Sequence, residues 1–212
     1  AYRELVHLPS HSLDTNRQAK LVRPLYMHLL DEKDEKYAKE RLVKALEDYG
    51  WRLGTGFLST PFILYVLSDI NVEYAYKLLE NEEMPGWLYM TKNGANTIWE
   101  SWEGTSAQSG IASLNHYSKG AVVEWLFDSM CGIRIKGENE FDIFPKPGGN
   151  FSYAKAKYNS EYGTVESGWE KKNGKVIYHI GVPCNTKAYL KLPKGREEIL
   201  QVHAKNKPLA DD

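Results

Sequence analysis

The sequence predicts an α+β protein, stacked helical hairpins followed by a small antiparallel β-sandwich. Three observations carry this. Apolar residues recur at helical spacing up to about residue 130, the breaks between those segments are short, and after Cys131-Gly132 the chain turns to short runs of period-two alternation. The boundary is placed there, giving a helical domain over residues 1–131 and a β domain over residues 132–212.

The helical elements follow in order. Tyr2 to Val6 reads as the last turn of a helix. From Arg17 to Leu30, Leu21, Val22, Leu25, Tyr26, Leu29 and Leu30 form an apolar stripe, with Pro24 marking a kink or a late start. The next stripe is Ala38, Leu42, Ala45, Leu46 and Tyr49, with Asp34 expected as N-cap and Gly50 as C-cap. A third helix is expected through PFILYVLS, capped by Thr60 with Pro61 at its first position, and a fourth from Asn71 through VEYAYKLLE. Short connections make these antiparallel neighbours. From Ser113, LNHYSKGAVVEWLFDSM is apolar on most of its circumference, which predicts an inner helix buried on all sides.

In the β domain, FDIF, FSYAKAKY, GTVESGWEKKNGKVIYHIGV and TKAYLKL alternate. Asn173-Gly174 sits between two such runs and signals a hairpin. Several short strands punctuated by turns predict the sandwich.

Charge excludes two classes of partner. With 27 basic and 28 acidic residues spread along the chain, a net charge of -1 gives no footprint for nucleic acid or an anionic membrane. No apolar run reaches the roughly 20 residues of a membrane span. Cys131 and Cys184 are too few for a disulfide framework and are expected as free thiols. His7, His11, His28, His179 and His203 show no metal-ligand spacing, so no metal is predicted. No glycine-rich phosphate loop follows a strand and no nucleophile elbow is present, so no cofactor is predicted.

Between the fourth and fifth helices lies PGWLYMTKNGANTIWESWEGTSAQSG, which has no sustained period and reads as a long loop. Long loops in compact domains carry function, and the tryptophans argue against disorder. Trp87, Trp99 and Trp102 offer apolar faces that suit a pyranose ring, and carboxylates accept from sugar hydroxyls. Glycoside hydrolysis needs two carboxyl groups flanking the scissile bond. Glu100 and Glu103 are candidates, yet at a separation of three residues they face apart if extended and crowd at about 5–6 Å if helical. At most one of them is catalytic, and its partner lies elsewhere.

Leu53-Gly54-Thr55-Gly56-Phe57-Leu58-Ser59-Thr60-Pro61, Pro85-Gly86-Trp87, Thr97-Ile98-Trp99-Glu100-Ser101-Trp102 and Ser113-Leu114-Asn115-His116-Tyr117, taken together and in that order, resemble the α-L-rhamnosidases, a glycoside hydrolase family. The resemblance covers most of residues 10 to 130 and, more loosely, the β region. It implies a partial (α/α)6 barrel carrying the active site, followed by a β-sandwich. It also implies inverting hydrolysis of terminal α-L-rhamnosides, with Glu100 as general base, His116 in contact with the sugar, and Trp87, Trp99 and Trp102 walling the pocket. The family's general acid, in an Asp-x-x-x-x-Glu-Arg type motif, has no counterpart here, so the chain reads as the carboxy-terminal part of such an enzyme, inactive alone. Five helices cannot close a twelve-helix barrel, which implies association with the missing amino-terminal part or with a second copy. Two other readings stay open, a non-catalytic carbohydrate-binding protein and a barrel enzyme acting on another sugar.

Overall fold

A computed structural model describes residues 1–107, 110 and 112–192. The end of the expected β domain, residues 193–212, lies outside the described residues. The chain divides into two compact units, one of residues 1–126 with 148–150, the other of residues 127–147 and from 151 onward.

The first unit holds α1 (Tyr2–Leu5), α2 (Gln18–Tyr26), α3 (Glu32–Asp48), α4 (Thr60–Ile70), α5 (Val72–Leu79), α6 (Trp87–Lys92), α7 (Tyr117–Gly120) and α8 (Val122–Trp125). α2 packs on α3 and α4, and α4 packs on α5, α7 and α8, so the predicted hairpins form. Their core is Leu21, Leu42, Leu46, Ile63, Leu64, Leu67 and Leu78, all fully buried at the positions the helical stripes put inward. Trp125 closes this core, its indole N–H donating to Ser68 Oγ at 3.0 Å and its ring meeting Tyr76 edge-on at 5.3 Å.

Several boundaries differ from expectation. α3 starts earlier, because Asp31 is the N-cap and its carboxylate accepts the N–H of Asp34 at 2.9 Å. The end of α3 is a Schellman turn in which Gly50, at φ 65°, is the residue after the C-cap, with Gly50 N–H reaching Glu47 O and Trp51 N–H reaching Leu46 O. Ser59, not Thr60, precedes α4; the Thr60 hydroxyl instead donates to Gly56 O at 2.9 Å. α6 lies inside the stretch read as loop: one and a half turns are too short to show a period. Asn71 does cap α5, accepting the Glu73 N–H.

The expected inner helix is a broken one. His116 is its N-cap, α7 and α8 follow, and a π turn spans Leu126–Met130. The expectation of burial on all sides fails, since Tyr117 is 81% and Val123 59% exposed. An inner barrel helix needs neighbours on both flanks, and in this unit α4 covers one.

Among the described residues the second unit has two three-stranded sheets, ordered β1-β2-β6 and β3-β4-β5. The strands are β1 (Ile133–Gly137), β2 (Glu140–Ile143), β3 (Tyr153–Ser160), β4 (Gly163–Lys172), β5 (Lys175–Gly181) and β6 (Lys187–Leu190). β1 went unread in the sequence. Asn173 and Gly174 turn the β4–β5 hairpin with φ of 52° and 72°, as the dipeptide predicts. β6 departs from the antiparallel plan: it pairs parallel to β2, because the chain returns to the first sheet only after building the second. Ile133, Phe141, Ile143 and Val165 are buried together between the sheets, with Phe127, Tyr158 and Ile180 packed around them. Cys131 is buried, which pushes its thiol up to about 11, and Cys184 is exposed; both are free. Phe141→Ala removes the fully buried ring of that cluster, and urea unfolding is expected to show a loss of about 3–5 kcal/mol.

Candidate active site

The site is built by two loop segments that pair through their main chains. Glu100 N–H donates to Ser113 O at 2.8 Å and His116 N–H donates to Ile98 O at 2.8 Å. Thr97 Oγ1 adds a bond to Leu114 O, and Ser113 N–H donates to the Glu100 carboxylate at 3.0 Å. This antiparallel clamp brings Glu100 and His116, distant in sequence, to one place.

Their side chains face each other, with Glu100 Oε1 4.0 Å from His116 Nε2. The Glu100 side chain is 34% exposed, enough to reach a ligand. His116 Nδ1 accepts the N–H of Ser118 at 3.3 Å, which caps α7 and leaves the proton on Nε2, the nitrogen aimed at Glu100. The imidazole is held between two rings, Phe57 at 4.7 Å and Tyr117 at 5.0 Å. Ring stacking and the cap together fix its plane.

Phe57 arrives from the Gly54-Thr55-Gly56-Phe57 turn. The buried amide of Gln18 holds that turn's approach, donating to Arg52 O at 2.9 Å and accepting from Gly54 N–H at 2.8 Å. A side chain at Gly54 would strike Gln18. Thr55 and Thr60 then pair their hydroxyls at 2.9 Å inside the turn.

The three tryptophans have different fates. Trp87 is buried, its N–H donating to Lys119 O at 3.0 Å. Trp99 is buried beneath Gly104. Trp102 remains partly exposed, with the Lys119 ammonium over its ring. Glu103 faces solvent and serves the chain: the Ser101 hydroxyl donates to its carboxylate, lowering its pKa, and its carbonyl accepts from the Ser106 hydroxyl at 2.7 Å.

Two residues of the site went unassigned in the sequence. Phe57 was read only as part of a motif. Lys119 was passed over as one polar residue on an apolar helix, although a lysine at that place is itself a signal. It is 5% exposed, its Nζ sits 3.8 Å from the Trp102 ring centroid, and it donates to Glu100 O. Burial draws its ammonium down from the ordinary 10.5 to about 8, against Glu103 and then Glu100, which favour the charge.

Residues 3–130 match the bacterial alpha-L-rhamnosidase 6 hairpin glycosidase domain, and residues 136–207 match the bacterial alpha-L-rhamnosidase C-terminal domain. The chain belongs to the bacterial α-L-rhamnosidase family. An alpha-L-rhamnosidase of Formosa agariphila is 36% identical over 200 residues, covering 91% of this chain and 22% of that protein. The crystal structure of Streptomyces avermitilis alpha-L-rhamnosidase complexed with L-rhamnose superposes with a TM-score of 0.75 at 34% identity, over 82% of this chain and 18% of that one. The native Aspergillus terreus enzyme superposes with a TM-score of 0.80 at 28% identity, over 92% of this chain and 24% of that one. This chain thus spans about a fifth of the length of these relatives. Its helical unit is a partial (α/α)6 barrel, followed by β-sheets.

Gly104 tests the packing under the site. Its φ is 57° and an added Cβ would overlap the Trp99 ring, so Gly104→Ala is expected to cost about 1–3 kcal/mol and to shift tryptophan emission, read by thermal melts and fluorescence.

Proposed function

We propose that this chain is the carboxy-terminal part of an inverting α-L-rhamnosidase, residues 1–131 supplying the carboxy-terminal portion of the catalytic barrel and residues 132–212 a β domain. The observation that carries the reading is the partly exposed Glu100 carboxylate held beside His116. In this reading Glu100 takes a proton from the attacking water. Ser113 N–H holds one carboxylate oxygen, which leaves the other for that water. His116, its ring plane fixed by Phe57 and Tyr117, offers Nε2–H to a sugar hydroxyl. Trp102 lies along the apolar face of the ring, and Trp87 and Trp99 back the wall from inside the fold.

The second carboxyl comes from an amino-terminal half and protonates the leaving oxygen. Inversion sets the two carboxyl groups about 6.5–9.5 Å apart so that water fits between base and sugar. This chain alone then binds without turning over, and its activity needs the other half.

Glu100→Gln keeps the shape and removes the base. In the full-length enzyme it is expected to lower turnover of an aryl α-L-rhamnoside by ~10²–10⁴-fold while L-rhamnose binding survives. Near-normal turnover of that variant removes Glu100 from the role, and cleavage of other glycosides in preference to rhamnosides removes the substrate.

A further inference from the structure

Three parts of the site meet at one residue. The Lys119 carbonyl accepts the Trp87 N–H at 3.0 Å. Its ammonium stands 3.8 Å above the Trp102 ring and donates to the main-chain oxygen of Glu100. The side chain therefore spans from α7 to the loop that carries Glu100 and Trp102, while its backbone anchors α6. A lysine this buried is uncommon unless something holds it, and a carbonyl, an indole face and two nearby carboxylates do.

We propose that Lys119 is a positioning residue of the active site, whose ammonium fixes Trp102 and the main chain of Glu100 in the arrangement that binds and hydrolyses the sugar. This rests on the reading of Glu100 as general base. Lys119 acts through those two residues and does not itself touch the reacting atoms.

The geometry has a pH consequence. The groups facing the ammonium are the Glu103 and Glu100 carboxylates of the loop, and its own turn carries His116 and Tyr117. The other titratable groups on the packed elements are Tyr65 and Asp69 of α4 and Tyr89 and Lys92 of α6. Burial lowers the Lys119 pKa to about 8, so the ammonium is present below that pH and lost above it. An uncharged amine can still donate to Glu100 O but has no cation–π attraction for Trp102. Between about 8 and 10.5 the unfolded chain holds this proton and the folded chain does not, so the group's own contribution to folding rises with pH. As pH rises through this window site order thus falls while stability rises, which separates a positioning role from a merely structural one.

The test uses the full-length enzyme as wild type, Lys119→Met and Lys119→Arg. The readouts are aryl α-L-rhamnoside kinetics at pH 6.5, L-rhamnose affinity by calorimetry at pH 6.5 and 9.5, and Trp102 emission against pH, taken as the difference from Trp102→Phe. Lys119→Met is expected to lose about 10–100-fold in kcat, the scale of a small misplacement, and to bind L-rhamnose weakly at both pH values. Wild type is expected to bind several-fold more weakly at pH 9.5. Lys119→Arg keeps its charge, and is expected to recover most of kcat and lose the alkaline drop. Wild-type emission is expected to shift near pH 8, and that of Lys119→Arg is not. Kinetics and pH dependence of Lys119→Met equal to wild type overturn the proposal. If Lys119→Met does not fold, a wild-type alkaline drop and emission shift retained unchanged in Lys119→Arg overturn it instead. If wild type neither binds nor cleaves rhamnosides, the functional reading falls, and the emission titration alone still decides whether Lys119 holds Trp102.

Discussion

The site depends on a short main-chain pairing between residues 97–100 and 113–116. A carboxylate works as a base only if its position is fixed more tightly than a solvated side chain allows. Here the backbone of Glu100 is fixed by Ser113, the backbone of His116 by Ile98, and one carboxylate oxygen of Glu100 by Ser113 N–H. Remove the pairing and Glu100 becomes an exposed loop residue like Glu103.

The tryptophans show how one residue type serves two needs. Trp87 and Trp99 are buried, and their large rings fill space that a glycine-rich loop could not fill with its own backbone. Gly104 is glycine because Trp99 lies against it. With those two rings as foundation, Trp102 can remain partly exposed without the loop collapsing. Aromatic content in this loop therefore reflects core formation first.

Much of the fold was legible because it rests on periodicity. Leu42 and Leu46 recur at helical spacing and are buried, and Asn173-Gly174 forces a hairpin whose turn demands positive φ. Boundaries were less legible. Asp31 and Asp34 are both acceptable caps in isolation, and the choice between them depends on where the preceding chain enters. β1 has the burial pattern of a strand with one inward residue, Ile133, so alternation could not announce it. Parallel pairing of β6 with β2 is a long-range fact that no local pattern encodes. The nearness of Glu100 to His116 was likewise invisible to spacing and came from family resemblance. Lys119 escaped both routes: periodicity counts it as an error in an apolar stripe, and the motif that flagged His116 gave it no role.

That error in the stripe has a physical meaning. A core position filled by a cation is tolerated when partners offset desolvation, and the direction of the Lys119 shift shows that the offset is incomplete: burial outweighs Glu103 and Glu100 together. A leucine or methionine there would bury with no such penalty. The chain accepts an unfavourable charge at the one place where α6, α7 and the Glu100 loop converge, which is the pattern expected where local stability is given up for geometry. The same ammonium lies near two carboxylates, Glu103 and Glu100, and both favour its charge. Placement and electrostatics thus point the same way at Lys119, and neither is needed for the helix to form.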